Sequence, residues 1–289
     1  MTTRTSALRP GKQRQLGVAI IGYSFMGTVH AQAWQTAPRF FELGSGIRLS
    51  VVSGRNEGAA RTFADRFGIP AVETDWRAVL ARPDVDIVDI CTPGNLHAEI
   101  AIAALEAGKH VLCEKPLANS LDEAERMARA ADIANSAGVR SMVGFSYRRT
   151  PALAYARRLV EDGRLGDIRH IRAQYLQDWI TDPEFPLVWR LVREQAGSGA
   201  LGDLGAHIID LAQHISGHTI VGVSALTETF VKSRPIPSSS SGLSATATAG
   251  RGEVTVDDAA AILARTDGGA LVTLEATRFA TGRKNALRI

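Results

Sequence analysis

Cysteine is scarce in this sequence: Cys91 and Cys113 are the only two in 289 residues. Each lies in an apolar, strand-like run, so both read as buried structural thiols rather than a disulfide or a metal pair. Long hydrophobic runs are absent as well. No stretch reaches the roughly 18 apolar residues that a membrane-crossing helix needs, so no membrane partner is expected. Neither sign of charge dominates, since 33 Lys and Arg face 30 Asp and Glu. Aromatic residues make up only 6% and no basic stripe is interleaved with them, which argues against nucleic acid as a partner. The opening MTTRTSALRPGKQRQ lacks the apolar core of a secretory signal and reads as a disordered basic tail over residues 1–15. Reduced thiols and no export signal point to the cytoplasm.

What is present is the balance of an ordinary globular protein, 45% hydrophobic and 22% charged, at a length that usually means two domains. From residue 16 the pattern alternates. VAIIG (18–22), IRLSVVSGR (47–55), DVDIVDICTP (84–93), HVLCEKP (110–116) and RSMVGFSY (140–147) read as buried strands. Between them MGTVHAQAWQTA (26–37), EGAARTFADRFG (57–68) and LHAEIAIAALEAG (96–108) have helical spacing. Ser120 and Glu123 form a capping-box pair that opens a further helix ending at Gly138. Continuous apolar strands between helices predict an α/β fold: a Rossmann-like, doubly wound parallel sheet over residues 16–149.

Residues 150–289 change character. A helix is expected at 151–162 and another over AHIIDLAQHI, after the glycine-rich AGSGALGDLG (196–205). Strands are expected in IRHIRAQYLQDWI (168–180), VGVSALTETFVK (221–232), VDDAAAILARTDG (256–268) and GALVTLEATRFATG (269–282), the last three antiparallel. SSSSGLSATATAGRG reads as a flexible low-complexity connection. This is an α+β domain with an open-faced, mostly antiparallel sheet. The chain runs apolar to its last residue, as expected of a fragment truncated within that domain; a short edge strand is the plainer alternative. No internal repeat is visible.

Three motifs carry chemistry. GYSFMG (22–27) resembles a dinucleotide loop with Ser24 in place of the middle glycine. Gly22 ends a strand and Gly27 opens a helix, whose N-terminal N–H groups suit a pyrophosphate. The loop residues Gly22, Tyr23, Ser24, Phe25, Met26 and Gly27 are therefore candidate cofactor contacts. The next strand ends Ser53-Gly54-Arg55-Asn56, without the acid that holds the ribose hydroxyls of NAD. Arg55 there favours NADP over NAD, by pairing with a 2′-phosphate. In CEKP, Lys115 stands at the C-terminal end of a strand, where α/β ligands bind, although a surface pair with Glu114 is the plainer reading. In LGDLGAHIIDLAQHI (201–215), Asp203 and His207 stand four apart, so a carboxylate can orient an imidazole. Asp210 and His214 continue that face. A metal held by His207, Asp210 and His214 is imaginable, but the ligands are too few and none is expected.

Together these stretches resemble the Gfo/Idh/MocA oxidoreductases: AIIGYSFMGTVHAQAW, DIVDICTPGNLHAEIAIAALEAGKHVLCEKPLA, VGFSYRRTPA and AGSGALGDLGAHIIDL. The resemblance implies a nicotinamide-dependent dehydrogenase or reductase of sugars, polyols or related carbonyl compounds. It makes Lys115, Asp203 and His207 the catalytic set, with Asp203 orienting His207 or binding a neighbouring hydroxyl. Thr92, Pro93, Asn95 and His97 match the family's cofactor-lining segment, and Glu114 and Lys115 join it. Tyr147, Arg148, Trp179, Trp189 and Arg190 are candidates for the substrate wall. The resemblance also implies a homodimer or homotetramer built through the second domain. Two other readings stay open. One is redox-assisted elimination or glycoside cleavage with a retained nicotinamide, and the other is a dinucleotide sensor without catalysis.

Overall fold

A computed structural model describes residues 15–241 and 244–289. The basic tail expected over 1–15 lies outside the described residues apart from Gln15, which opens the first strand. The chain divides into two compact units that interleave along the sequence. One holds the residues up to Cys91 with Ile100–Leu112 and Ala131–Ser141, and the other Thr92–Glu99, Cys113–Ala130 and Met142–Ile289.

The first sheet contains β1 (Gln15–Ile21), β2 (Gly46–Ser53), β3 (Ala71–Glu73), β4 (Ile87–Ile90), β5 (His110–Cys113) and β6 (Ser141–Val143). Its order is β3-β2-β1-β4-β5-β6, the doubly wound order of dinucleotide-binding domains. β1 runs parallel to β2 and β4, and β2 to β3. The intervening helices are α1 (Phe25–Phe40), α2 (Glu57–Phe67), α3 (Trp76–Leu80), α4 (His97–Glu106) and α5 (Leu121–Ser136). Val18, Ala19 and Ile20 are completely buried because helices cover both faces of the sheet. β3 is too short to leave a periodic signal, and the sequence pattern missed it.

Helix ends follow local chemistry. At α5 the Ser120 hydroxyl accepts from the Glu123 N–H at 3.2 Å, while the Glu123 carboxylate accepts from the Ser120 N–H at 3.1 Å. This is the reciprocal capping box read from the sequence. α2 closes on Gly68 in the left-handed conformation, as its glycine suggested.

In the second unit, α6 (Pro151–Glu161) precedes β7 (His170–Leu176), and α7 (Arg193–Ala196) and α8 (Ala206–Ser216) follow. The remaining strands are β8 (Ile220–Glu228), β9 (Ser233–Ser241), β10 (Ser244–Glu253), β11 (Ala259–Thr266), β12 (Leu271–Thr277) and β13 (Lys284–Arg288). A five-stranded sheet has the order β13-β7-β12-β11-β8. It is antiparallel except where β7 lies parallel to β12, a pairing the long excursion between those strands allows. Ala173, Ile262, Ala264, Val272 and Leu274 face inward and pack with Leu204, just before α8, and with Ile208 and Ala212 within it. The opposite face is open and carries the exposed Leu226, Leu263 and Leu271.

The low-complexity stretch is not a free connection. Most of it forms the β9–β10 ribbon, with only residues 242 and 243 outside the described residues. In β10 alanine and threonine alternate from Ala245 to Ala249, and that period of two suits a strand despite the composition. The Thr248 hydroxyl donates to the Ile236 carbonyl at 2.9 Å across the ribbon.

Candidate active site

The glycine loop belongs to the first unit and follows β1. Gly22 has φ +102°, which only glycine adopts without strain. A Cβ at Gly27 would lie 2.0 Å from the Gly22 carbonyl oxygen, so strand and helix approach too closely for any side chain there. Ser24 is the N-cap of α1, yet its hydroxyl makes no capping bond, which leaves the first-turn N–H groups to a ligand. These features fit a dinucleotide pyrophosphate. The Tyr23 ring lies against Gly54, where a Cβ would come within 1.9 Å of the ring. Arg55 is exposed beside it. Asn56, expected as a cofactor contact, instead caps α2, its side-chain oxygen accepting from the Ala59 N–H at 2.9 Å.

The second unit gathers the expected catalytic residues. Lys115 Nζ donates to Asp203 Oδ1 and to the Asp203 carbonyl, each at 3.0 Å. An ammonium has three N–H donors, so one remains for a substrate oxygen. Lys115 thus points to Asp203 and not to the Glu114 carboxylate. The latter is buried, accepts from the Lys115 backbone N–H and fills the space beside Gly144. Arg278 Nη2 donates to Asp203 Oδ2 at 3.0 Å. Burial alone would push the Asp203 carboxyl upward, but Lys115 and Arg278, with help from Arg190, hold it well below the ordinary carboxylate range.

The expected Asp203–His207 bond is not made. Asp203 lies in a π-turn, Leu201–Gly205, ahead of the regular helix that carries His207. Asp203 turns toward its two cations instead. His207 lies among aromatic rings, 4.9 Å from the Tyr147 centroid and 5.7 Å from that of Tyr175. Its Nδ1 is buried without a hydrogen-bond partner among the described residues. Burial, reinforced by the Lys115 charge, lowers its pKa to about 4, so at neutral pH the ring is uncharged and able to accept a proton. Tyr175 was missed by the sequence pattern. Its hydroxyl lies 3.0 Å from that of Tyr147, and burial followed by this bond pushes its phenol well up.

The turn that carries Asp203 is fixed by another residue the motifs did not expose. Asp257 accepts from the Gly199 and Leu201 N–H groups, both at 2.7 Å, and its carbonyl accepts from Ala200. Asp257→Ala should lower folding stability by about 3 kcal/mol, since two charge-assisted bonds, one to a buried and one to a half-buried N–H, are lost. Urea denaturation checks this; a loss within error of zero would show that the turn holds without it.

The remaining candidates divide. His97 is buried, and its ring nitrogens lie 2.9 Å from the Pro116 carbonyl and 3.0 Å from that of Thr92. It braces the segment Thr92, Pro93 and Asn95 rather than offering its ring to a ligand. Arg148 is paired with Asp210, and Arg190 stacks over Trp189 at 4.5 Å. Trp179 packs edge-on against Phe185 in a small core beneath the β9–β10 ribbon and lies under Arg278. The imagined metal set is dispersed. His214 bonds Arg157 and lines a separate surface cavity of about 350 Å³ at the far end of α8. Seven residues of helix separate it from His207 by about 10 Å along the axis. Among the described residues, His30, Asp89 and Cys91 lie close enough to share an ion. Asp89 there already accepts from Trp34 at 2.6 Å and contacts His30 at 2.9 Å.

Residues 16–145 match the profile of an oxidoreductase family with an NAD-binding Rossmann fold, and residues 153–289 match the GFO/IDH/MocA C-terminal domain. The chain belongs to the Gfo/Idh/MocA oxidoreductases. A member of that family, levoglucosan dehydrogenase of Pseudarthrobacter phenanthrenivorans, is 42% identical over 94% of this chain and 70% of its own length. The solved structure of levoglucosan dehydrogenase in complex with NADH and levoglucosan superposes with a TM-score of 0.86 at 41% identity, covering 95% of this chain and 70% of that one. An oxidoreductase domain protein from Kribbella flavida reaches a TM-score of 0.89 at 61% identity, with the same coverage of 95% and 70%. This Gfo/Idh/MocA chain spans between 48% and 61% of the length of other curated relatives.

Proposed function

We propose that this protein is an NAD(P)-dependent dehydrogenase or reductase of a cyclic sugar or polyol, with Lys115, Asp203 and His207 as its catalytic residues. The carrying observation is the Lys115–Asp203 pair at 3.0 Å beside an uncharged, ring-enclosed His207. In the oxidative direction His207 takes the proton of the substrate hydroxyl, and in reduction it returns one. Lys115 donates its remaining N–H to the same oxygen and stabilises the negative charge that develops there. Asp203, kept ionised, holds the ammonium in place.

Gly22, Tyr23, Ser24, Phe25, Met26 and Gly27 would hold the dinucleotide phosphates, with Ser53, Gly54 and Arg55 toward the adenosine ribose. Thr92, Pro93 and Asn95 would line the nicotinamide side. Nicotinamide bound in this way supplies or accepts the hydride. The open sheet face with Leu226, Leu263 and Leu271 is the surface on which we place self-association.

Levoglucosan is the first substrate to test, because a relative at 42% identity is named for it. Inositols and free hexoses follow in the same screen, read by the near-ultraviolet absorbance of reduced nicotinamide. Turnover of a sugar without net absorbance change favours redox-assisted cleavage. Binding of dinucleotide with no turnover of any kind favours a sensor.

A solved structure of levoglucosan dehydrogenase is a complex with NADH, and in this chain Arg55 stands at a strand end, Ser53-Gly54-Arg55-Asn56, that holds no carboxylate to repel a 2′-phosphate. We therefore assign both dinucleotides to this chain, with Arg55 responsible for accepting NADP. Arg55→Ala should weaken NADP binding about tenfold and leave NAD binding within about twofold. Fluorescence titration with each dinucleotide measures this, and equal losses for the two would remove the role.

A further inference from the structure

We propose that Arg278 is a positioning residue of the reaction. Its guanidinium holds the second oxygen of the Asp203 carboxylate, so that the first oxygen and the Asp203 carbonyl stay aligned on Lys115. The proposal rests on the dehydrogenase reading above for its kinetic part, and on geometry alone for the rest.

Arg278 follows β12 and is 1% exposed. Nη2 donates to Asp203 Oδ2 at 3.0 Å and Nη1 to the Arg190 carbonyl at 3.3 Å, while the guanidinium lies over the Trp179 ring at 5.6 Å. Burying a cation that cannot shed its charge is costly unless a counter-charge is fixed beside it. Asp203 is the carboxylate bonded to it. A carboxylate turns easily about its last torsion, whose rotamer wells are broad. Lys115 alone restrains one oxygen; Arg278 restrains the other and thereby fixes the plane. The ammonium is then held by two bonds to one residue, and the direction of its remaining N–H is set.

Five titratable or charged groups act on or around Asp203: Lys115 after β5, Arg190 from the turn Trp189–Leu191, Arg278 after β12, Tyr175 from β7 and His207 from α8. Removing Arg278 withdraws one of the three cations and leaves the carboxyl easier to protonate.

The test uses the full chain with carbon-13 labelled aspartate, the Asp203 signal being identified by its loss in Asp203→Asn. In the parent this signal stays ionised through the acid range in which the protein remains folded. In Arg278→Met it should begin to titrate within that range. With NAD and whichever sugar the parent turns over, kcat should fall on the order of a hundredfold while dinucleotide affinity stays within about twofold. Arg278→Lys should restore the carboxyl titration, through charge, but only part of kcat, since it lacks the fork. In an Asp203→Asn background, Arg278→Met should cost little more. An unchanged Asp203 titration in folded Arg278→Met, or an undiminished kcat loss in the Asp203→Asn background, overturns the proposal. If Arg278→Met does not fold, Arg278→Lys decides: parent kcat overturns the proposal, and reduced kcat with a parent-like titration supports it. If the parent turns over no sugar, the dehydrogenase reading fails, and the carboxyl titration still decides whether Arg278 holds Asp203.

Discussion

A Lys115→Met variant is expected to lose about 100- to 1,000-fold in kcat, roughly 3–4 kcal/mol of transition-state stabilisation. Methionine keeps most of the stem and packs in the same half-buried space. It cannot donate to the oxygen on which charge develops, and it leaves Asp203 with Arg278 as its bonded partner. The glycine loop with its positive-φ Gly22 lies in the other compact unit and is untouched, so dinucleotide binding should change little. A loss in kcat with dinucleotide affinity retained therefore separates a role in chemistry from a role in assembly. Parent rates on every accepted substrate would remove Lys115 from the reaction.

The second large effect concerns His207. His207→Asn should lower kcat by about 100- to 10,000-fold, the usual range for a positioned acid–base group. Its pH dependence is the sharper test. A base with a pKa of about 4 is unprotonated throughout the neutral range, so kcat/KM for oxidation should hold steady on the acid side and fall only near that value. A fall centred on the ordinary histidine value of about 6.5 would show that burial among the aromatic rings does not control the ring. Stability carries the same signature. The native pKa is depressed, so between about 6.5 and about 4 the unfolded chain binds a proton that the folded chain refuses. His207 therefore makes stability decline as pH falls through that window and has no such effect above it. Denaturation midpoints across the window should flatten in His207→Asn relative to the parent.

Much of this site was visible in the sequence because its determinants are local. Gly22 and Gly27 flank one turn, and Ser120 and Glu123 bond across three residues. Lys115 stands at the end of a recognisable strand. Arg278 and Asp257 were invisible for the opposite reason, as their partners lie 75 and 58 residues away and no periodic pattern links them. Tyr175 reaches His207 only because β7 is placed beneath the start of α8. The β9–β10 ribbon hid behind its composition: the serine run suggests a loop, and the one strand signal is the alternation of alanine and threonine from Ala245 to Ala249. The Asp203–His207 pairing failed because Lys115 and Arg278, brought from distant parts of the chain, take both oxygens of the Asp203 carboxylate.

The looser winding at Asp203 has a consequence of its own. A π-turn amounts to a helix carrying one surplus residue, and here the surplus falls within Leu201–Gly205, ahead of the regular helix of Ala206–Ser216. Removing one residue between Asp203 and Ala206 would let the turn run on into the regular helix and would swing Asp203 about 100° around the axis relative to it, away from Lys115 and Arg278. The most regular version of this helix would thus be one whose carboxylate no longer meets Lys115 and Arg278. A single surplus residue sets the compass bearing of the Asp203 carboxylate.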